Sequence, residues 1–120
     1  MSSFILGRIK SIVYALKGFF WLIRNENSII TQVIFAFGFT ILGFYFQIDR
    51  FEWALQVLAI GLVLAIESLN TAVEKVCDFI HPDFHSKIGL IKDIASGAVT
   101  FAVFTAFIIA CLIYIPYIFI

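Results

Sequence analysis

The chain has 120 residues, 62% of them hydrophobic, and its mean hydropathy is +1.07. So much apolar surface in so short a chain exceeds what one water-surrounded core can bury, which excludes an ordinary soluble domain and indicates an integral membrane protein. Eight Lys and Arg balance eight Asp and Glu, so no overall charge points to nucleic acid, and the informative quantity is where the charges lie.

The amino-terminal stretch Met1-Ser-Ser-Phe-Ile-Leu-Gly-Arg8 has the look of a signal peptide. Arg8, Lys10 and Lys17 interrupt its apolar positions and no small-residue cleavage site follows, so it is expected to belong to the mature protein. Over about 4–24, Phe4, Ile5, Ile9, Ile12, Leu16, Phe19, Phe20 and Ile23 recur at helical spacing, with Arg24 as a fourth cation. This pattern predicts an amphipathic helix lying in the membrane surface, and three internal cations count against a further span. Gly18 is expected to mark a bend, and Asn25-Glu26-Asn27-Ser28 a polar turn in which Asn27 or Ser28 caps the next helix.

A helix crossing ~30 Å of hydrocarbon needs ~20 apolar residues. Three segments meet this, at about 29–46, 53–73 and 97–119, with Trp53 and Tyr117 placed as interfacial aromatics. His81-Pro82-Asp83 is expected to break the second helix after it leaves the membrane, because proline lacks a donor and restricts the residue before it. Cys77 lies near an apolar–polar boundary and Cys111 deep in the last span, so their depths argue against a disulfide. Ala98, Ala102, Ala106 and Ala110 repeat every four residues, and Gly61 and Ala65 do so more briefly, which suggests close helix packing within a homo-oligomer. The expected fold is an all-α membrane protein, one domain over 1–120, with three transmembrane helices and a surface helix.

Basic residues set the topology. Four lie in the amino-terminal segment, Lys75, Lys87 and Lys92 lie between the second and third spans, and the loop between the first two has only Arg50. The amino terminus and the second loop therefore face the cytoplasm, and the carboxyl terminus lies outside.

At 100° per residue, Glu67, Asn70, Thr71, Glu74 and Asp78 fall within about 100° of one another, on one face at the cytoplasmic end of the second span. A charge at mid-membrane costs about 2.5–3.5 kcal/mol on insertion scales and less toward the interface, so such acids mark a functional site or a buried partner. For Asp78 alone, simple solvation beyond the headgroups is an equal reading. Carboxylates and an amide oxygen suit Mg²⁺, which needs only one or two carboxylates when nucleotide phosphates complete its shell. The pattern points to phosphoryl transfer at the membrane surface. Lys92-Asp93 opens the third span on the same side, where a lysine can hold phosphate oxygens, and Glu26 is the one acid of the amino-terminal region. Neither a G-x-x-x-x-G-K-[ST] loop nor a kinase-type glycine loop occurs, so a nucleotide site would be built from helix-borne side chains. The acids cluster at one membrane face and leave no continuous polar path, which counts against a channel or transporter. A non-catalytic assembly or adaptor protein, its polar stripe serving helix association, is the competing class.

The run Glu67-Ser-Leu-Asn70-Thr-Ala72-Val-Glu74-Lys-Val-Cys-Asp78 resembles the E-x-x-N-[ST]-A-x-E-x-x-x-D signature of the small prokaryotic diacylglycerol kinase family, which includes undecaprenol kinases. Lys92-Asp93-Ile-Ala95-Ser-Gly97-Ala98-Val99 is similar to the family's K-D-x-A-[AS]-[AG]-A-V, and Ala15-Leu-Lys17-Gly18 followed by Glu26 extends the resemblance over almost the whole chain. The resemblance implies a homotrimer in the bacterial inner membrane, with sites between subunits and ATP-dependent phosphorylation of a lipid hydroxyl, diacylglycerol first and undecaprenol second. It implies Glu67 as general base, Glu74 and Glu26 as holders of Mg²⁺, Asn70 as support, and Lys92 with Asp78 and Asp93 organising ATP. Ile30 stands where the family often has a basic residue, which makes the amino-terminal contribution the weakest part of the match.

Overall fold

Four helices account for almost all of residues 2–119, the part of the chain described by the computed structural model. They are α1 (Ser2–Asn25), α2 (Asn27–Phe46), α3 (Arg50–Ile80) and α4 (Ser86–Phe119). The last three are long and apolar enough to cross a membrane. Each starts earlier than hydropathy suggests, and α3 also ends later. Backbone hydrogen bonding carries a helix on into water, whereas hydropathy registers only its hydrocarbon portion.

Every residue of α1 from 2 to 21 is exposed, so the bundle covers none of its apolar face. Lys10, Lys17 and Arg24, seven residues apart, follow one edge of that face, and Lys17 and Arg24 lie over the rings of Tyr14 and Phe20. An apolar arc edged by long cations is the arrangement of a helix lying in a membrane surface. The helix runs unbroken through Gly18, and Glu26 alone separates it from α2. Glu26, rather than Asn27 or Ser28, occupies the N-cap of α2, with φ −97° and ψ 112° and no side-chain cap bond.

The turn from α2 to α3 is short because both helix ends are closed locally. Gln47 adopts a left-handed conformation (φ 53°) at the end of α2, and Ile48 N–H donates to the Gly43 carbonyl at 3.1 Å. Asp49 caps α3: its side chain accepts from Glu52 N–H at 2.9 Å, while Glu52 Oε1 accepts from Asp49 N–H at 3.0 Å. At this end Ile48, Ile113 and Tyr114 form a buried cluster with Phe39, Phe46 and Trp53 against it. Trp53, expected at the lipid interface, packs across Gly43; a methyl group there would lie 2.6 Å from the ring. At the other end α3 stops at Ile80, as Pro82 requires.

α3 is the centre of the bundle, packing along most of α4 and along α2, while α2 and α4 meet through the rings of Phe39, Phe46, Tyr114 and Tyr117 at the Gln47–Asp49 end. An apolar groove of about 350 Å³ remains between them, floored by Ala59 and Val63 of α3 and walled by Phe35, Phe39 and Ala106. Ala102 is buried and Ala106 and Ala110 half-buried, in keeping with the small-residue stripe, but Ala98, Gly61 and Ala65 are exposed among the described residues. Cys77 and Cys111 are free thiols.

One side chain joins all three spans. The buried Gln56 donates from Nε2 to the Phe39 carbonyl of α2 at 3.0 Å, and its Oε1 accepts a short hydrogen bond from the Tyr114 hydroxyl of α4. Gln56→Leu and Tyr114→Phe are each expected to cost about 1–2 kcal/mol in SDS unfolding of the detergent-solubilised protein. The double variant should cost clearly less than the sum, because the same pair is lost in both; strict additivity would mean that the two act independently.

Candidate functional site

The acidic stripe lies at the end of the bundle away from Gln56. Glu67, 8% exposed, is the deepest of its acids, and Thr71, 4% exposed, is the next residue inward on the same face one turn on. Asn70 and Glu74 are half-buried and Asp78 is exposed, so the stripe grades from protein interior to open surface over three turns. At ~1.5 Å per residue, Glu67 and Glu74 are roughly 10 Å apart along the axis and Glu67 and Asp78 roughly 16 Å.

Three contacts organise it. Asn70 Nδ2 donates to Glu74 Oε1 at 3.2 Å, Thr71 Oγ1 faces Glu26 Oε2 at 3.5 Å, and Lys92 Nζ donates to Asp78 Oδ1 at 2.6 Å. Glu26 therefore reaches the stripe from the α1–α2 junction, and Lys92 meets it from α4. Lys75 lies over the Trp21 ring, 5.4 Å from its centroid, and so ties the end of α1 to α3. Asp93 is exposed and joins none of these contacts. Ile30, half-buried, has its N–H bonded to the Glu26 carbonyl and adds no charge.

Two groups are left unpaired. Asn70 Oδ1 is buried without a hydrogen-bond partner. Glu67 is a buried residue whose carboxylate makes no hydrogen bond or ion pair among the described residues and keeps a small accessible surface at its oxygens. Buried polar groups are nearly always satisfied, so an amide oxygen and a carboxylate left open on one face suit an incoming ligand. No group of three or more metal-ligating side chains is already assembled among the described residues. Glu26, Glu74 and the free oxygen of Asn70 are nonetheless hard oxygen donors, enough for Mg²⁺ when phosphate oxygens complete its shell.

Lys92 and Asp78 differ from these in being more than one-third exposed, with side chains 37% and 58% accessible. The hydrogen bond from Lys92 to Asp78 holds the ammonium above the ordinary lysine range, on a part of α4 that precedes the apolar run. Solvent screens such a pair, so it orients a cation more than it stabilises the fold. Asp78→Asn should leave the SDS unfolding midpoint nearly unchanged. Glu67→Met, which replaces an unpaired buried carboxylate by an apolar chain, should raise stability by about 1–2 kcal/mol in the same titration.

Periodicity found the acidic face but not the use of Thr71, which directs its hydroxyl toward Glu26, nor the cap at Asp49. The second was readable as Asp49-x-x-Glu52 ahead of an apolar run.

The family model described as prokaryotic diacylglycerol kinase matches residues 13–114. The chain is 34% identical to an undecaprenol kinase of Bacillus subtilis strain 168, over 89% of this chain and 87% of that one. It is 29% identical to a diacylglycerol kinase of Escherichia coli K12, over 88% and 86%. A diacylglycerol kinase of Helicobacter pylori J99 is 33% identical over 74% and 70%. With three membrane-length helices and an acidic face matching the family's signature, the chain belongs to the prokaryotic diacylglycerol kinase family and is a membrane lipid kinase.

Proposed function

We propose that the chain transfers the γ-phosphoryl group of MgATP to the hydroxyl of diacylglycerol, giving phosphatidic acid, at the cytoplasmic face of a bacterial inner membrane. The observation that carries this reading is one helix face on which Glu67 and the Asn70 oxygen are unpaired, Asn70 holds Glu74, and Thr71 faces Glu26. Glu67, at the hydrocarbon side, takes the proton from the lipid hydroxyl as that oxygen bonds to the γ-phosphorus and the bond to the ADP oxygen breaks. Glu26 and Glu74 would hold Mg²⁺, which supplies charge neutralisation to the phosphates when bound. Asn70 fixes Glu74 through its amide N–H and keeps its carbonyl oxygen for the ligand. Lys92, oriented by Asp78, reaches phosphate oxygens, and Asp93 faces the nucleotide.

The excess of Lys and Arg on α1 and around the α3–α4 turn supports the cytoplasmic placement. A homotrimer with sites between subunits agrees with the outward-facing Gly61, Ala65 and Ala98, and with an Asp93 that has no side-chain partner among the described residues. Undecaprenol is the second acceptor, favoured by the 34% identity to an undecaprenol kinase.

Purified protein with Mg²⁺ and labelled ATP, offered each lipid in parallel, tests the class and the acceptor together. Label is expected in phosphatidic acid; label in undecaprenyl phosphate alone would select the second acceptor, and label in neither would overturn the kinase reading. Glu67→Gln should lower kcat by about 10²–10⁴-fold while the oligomer persists. Altered assembly with the rate unchanged would instead assign the stripe to helix packing.

A further inference from the structure

Six helical hydroxyls of this protein share one habit. Ser11, Thr31, Thr40, Ser68, Thr100 and Thr105 each donate to the carbonyl four residues back, at 2.7–3.1 Å. This is how a helix surrounded by apolar groups satisfies a hydroxyl. Thr71 departs from it. Its Oγ1 faces Glu26 Oε2, 45 residues away in sequence, although it is 4% exposed and has the same local carbonyl within reach.

Glu26 explains what the departure achieves. It occupies the one-residue break between α1 and α2 with extended backbone, and its side chain takes no part in capping α2. Its carboxylate is therefore unclaimed by its own helix, and Thr71 is the one donor facing it among the described residues. With Oε2 turned to Thr71, Oε1 makes no hydrogen bond among the described residues. The 3.5 Å separation lies beyond the usual O–H···O range, so the two groups face one another at the outer limit of a hydrogen bond.

We propose that Thr71 is a positioning residue, whose hydroxyl orients the Glu26 carboxylate for the divalent cation that accompanies the nucleotide. This rests on the MgATP reading above. Valine matches threonine in shape but cannot donate, and serine keeps the donor.

Mn²⁺, observed by its magnetic resonance signal, and a non-hydrolysable ATP analogue test this on the full chain in detergent without lipid acceptor. Thr71→Val is expected to weaken Mn²⁺ binding about tenfold, the scale of lost outer-shell contacts, with Thr71→Ser near wild type. In the Glu26→Gln background Thr71→Val should add nothing. In turnover it should raise the KM for the metal–nucleotide and leave the lipid KM unchanged. Wild-type Mn²⁺ affinity in Thr71→Val, or an equal further loss in the Glu26→Gln background, would overturn the role of Thr71 alone. No Mn²⁺ binding by wild type would overturn the MgATP reading and this inference with it. If Thr71→Val does not assemble, Thr71→Ala carries the same comparison.

Discussion

The structure depends on the Gln56 amide, which holds two helix registers at once. Its donor side sets α2 against α3 through the Phe39 carbonyl, and its acceptor side sets α4 against α3 through Tyr114. Within hydrocarbon no water replaces a lost partner, so a slip of one turn, ~5.4 Å, would orphan polar groups on three helices. The contacts elsewhere keep the same registers. Gly43 and Trp53 meet five residues either side of Ile48, and Glu26 and Thr71 meet at 22 and 23 residues either side of it. Gln56 and Tyr114 are both 29 residues from His85, and Asp78 and Lys92 are both seven from it. A contact on the far side of the bundle thus decides that Glu26 faces Thr71 and that Lys92 faces Asp78.

The same registers set depth. α2, with 20 residues, is about as long as hydrocarbon is thick, ~30 Å, and its first residue stands level with the neighbourhood of Asn70. Glu67 therefore lies just inside the apolar layer, Thr71 and Glu26 at its edge, and Asp78 roughly 10 Å beyond. α3 and α4 outrun α2 at this end, so one helix face carries its side chains from lipid to water. A lipid kinase has to bring a hydroxyl from the first medium to a phosphate from the second, and this face spans that distance without a loop or a lid.

What was legible in the sequence follows from what periodicity and hydropathy measure. The amphipathic α1, the three spans and the acidic face of α3 are local patterns, and each is present where the spacing of residues 4–24, 29–46, 53–73, 97–119 and 67–78 puts it. Helix ends lie beyond the apolar runs because a helix continues past the hydrocarbon, and the cap at Glu26, which has no side-chain bond, depends on backbone geometry. Glu26 beside Thr71 and Gln56 beneath Tyr114 join residues 45 and 58 positions apart. A helical wheel says which face a residue occupies and nothing about which helix that face meets. Gly61 and Ala65 show the same limit, since small residues permit close packing without naming the surface that packs.

The two ends of the bundle divide stability and chemistry between them. At the Gln47–Asp49 end the polar groups are paired: Gln56 on both sides of its amide, Asp49 and Glu52 in a reciprocal cap, Tyr117 on Glu52. Trp53 fills the space beside Gly43, and Ile48, Ile113 and Tyr114 close the core. At the acidic end Glu67 and the Asn70 oxygen are open. Open polar groups destabilise a membrane bundle unless something else holds the helices in place, because the chain could relieve them by sliding or rotating. The satisfied end removes that escape. With both registers locked at Gln56, Glu67 cannot move to water without breaking paired groups more than 15 Å away along α3, about ten residues at ~1.5 Å each. Its unpaired state is therefore maintained by the fold.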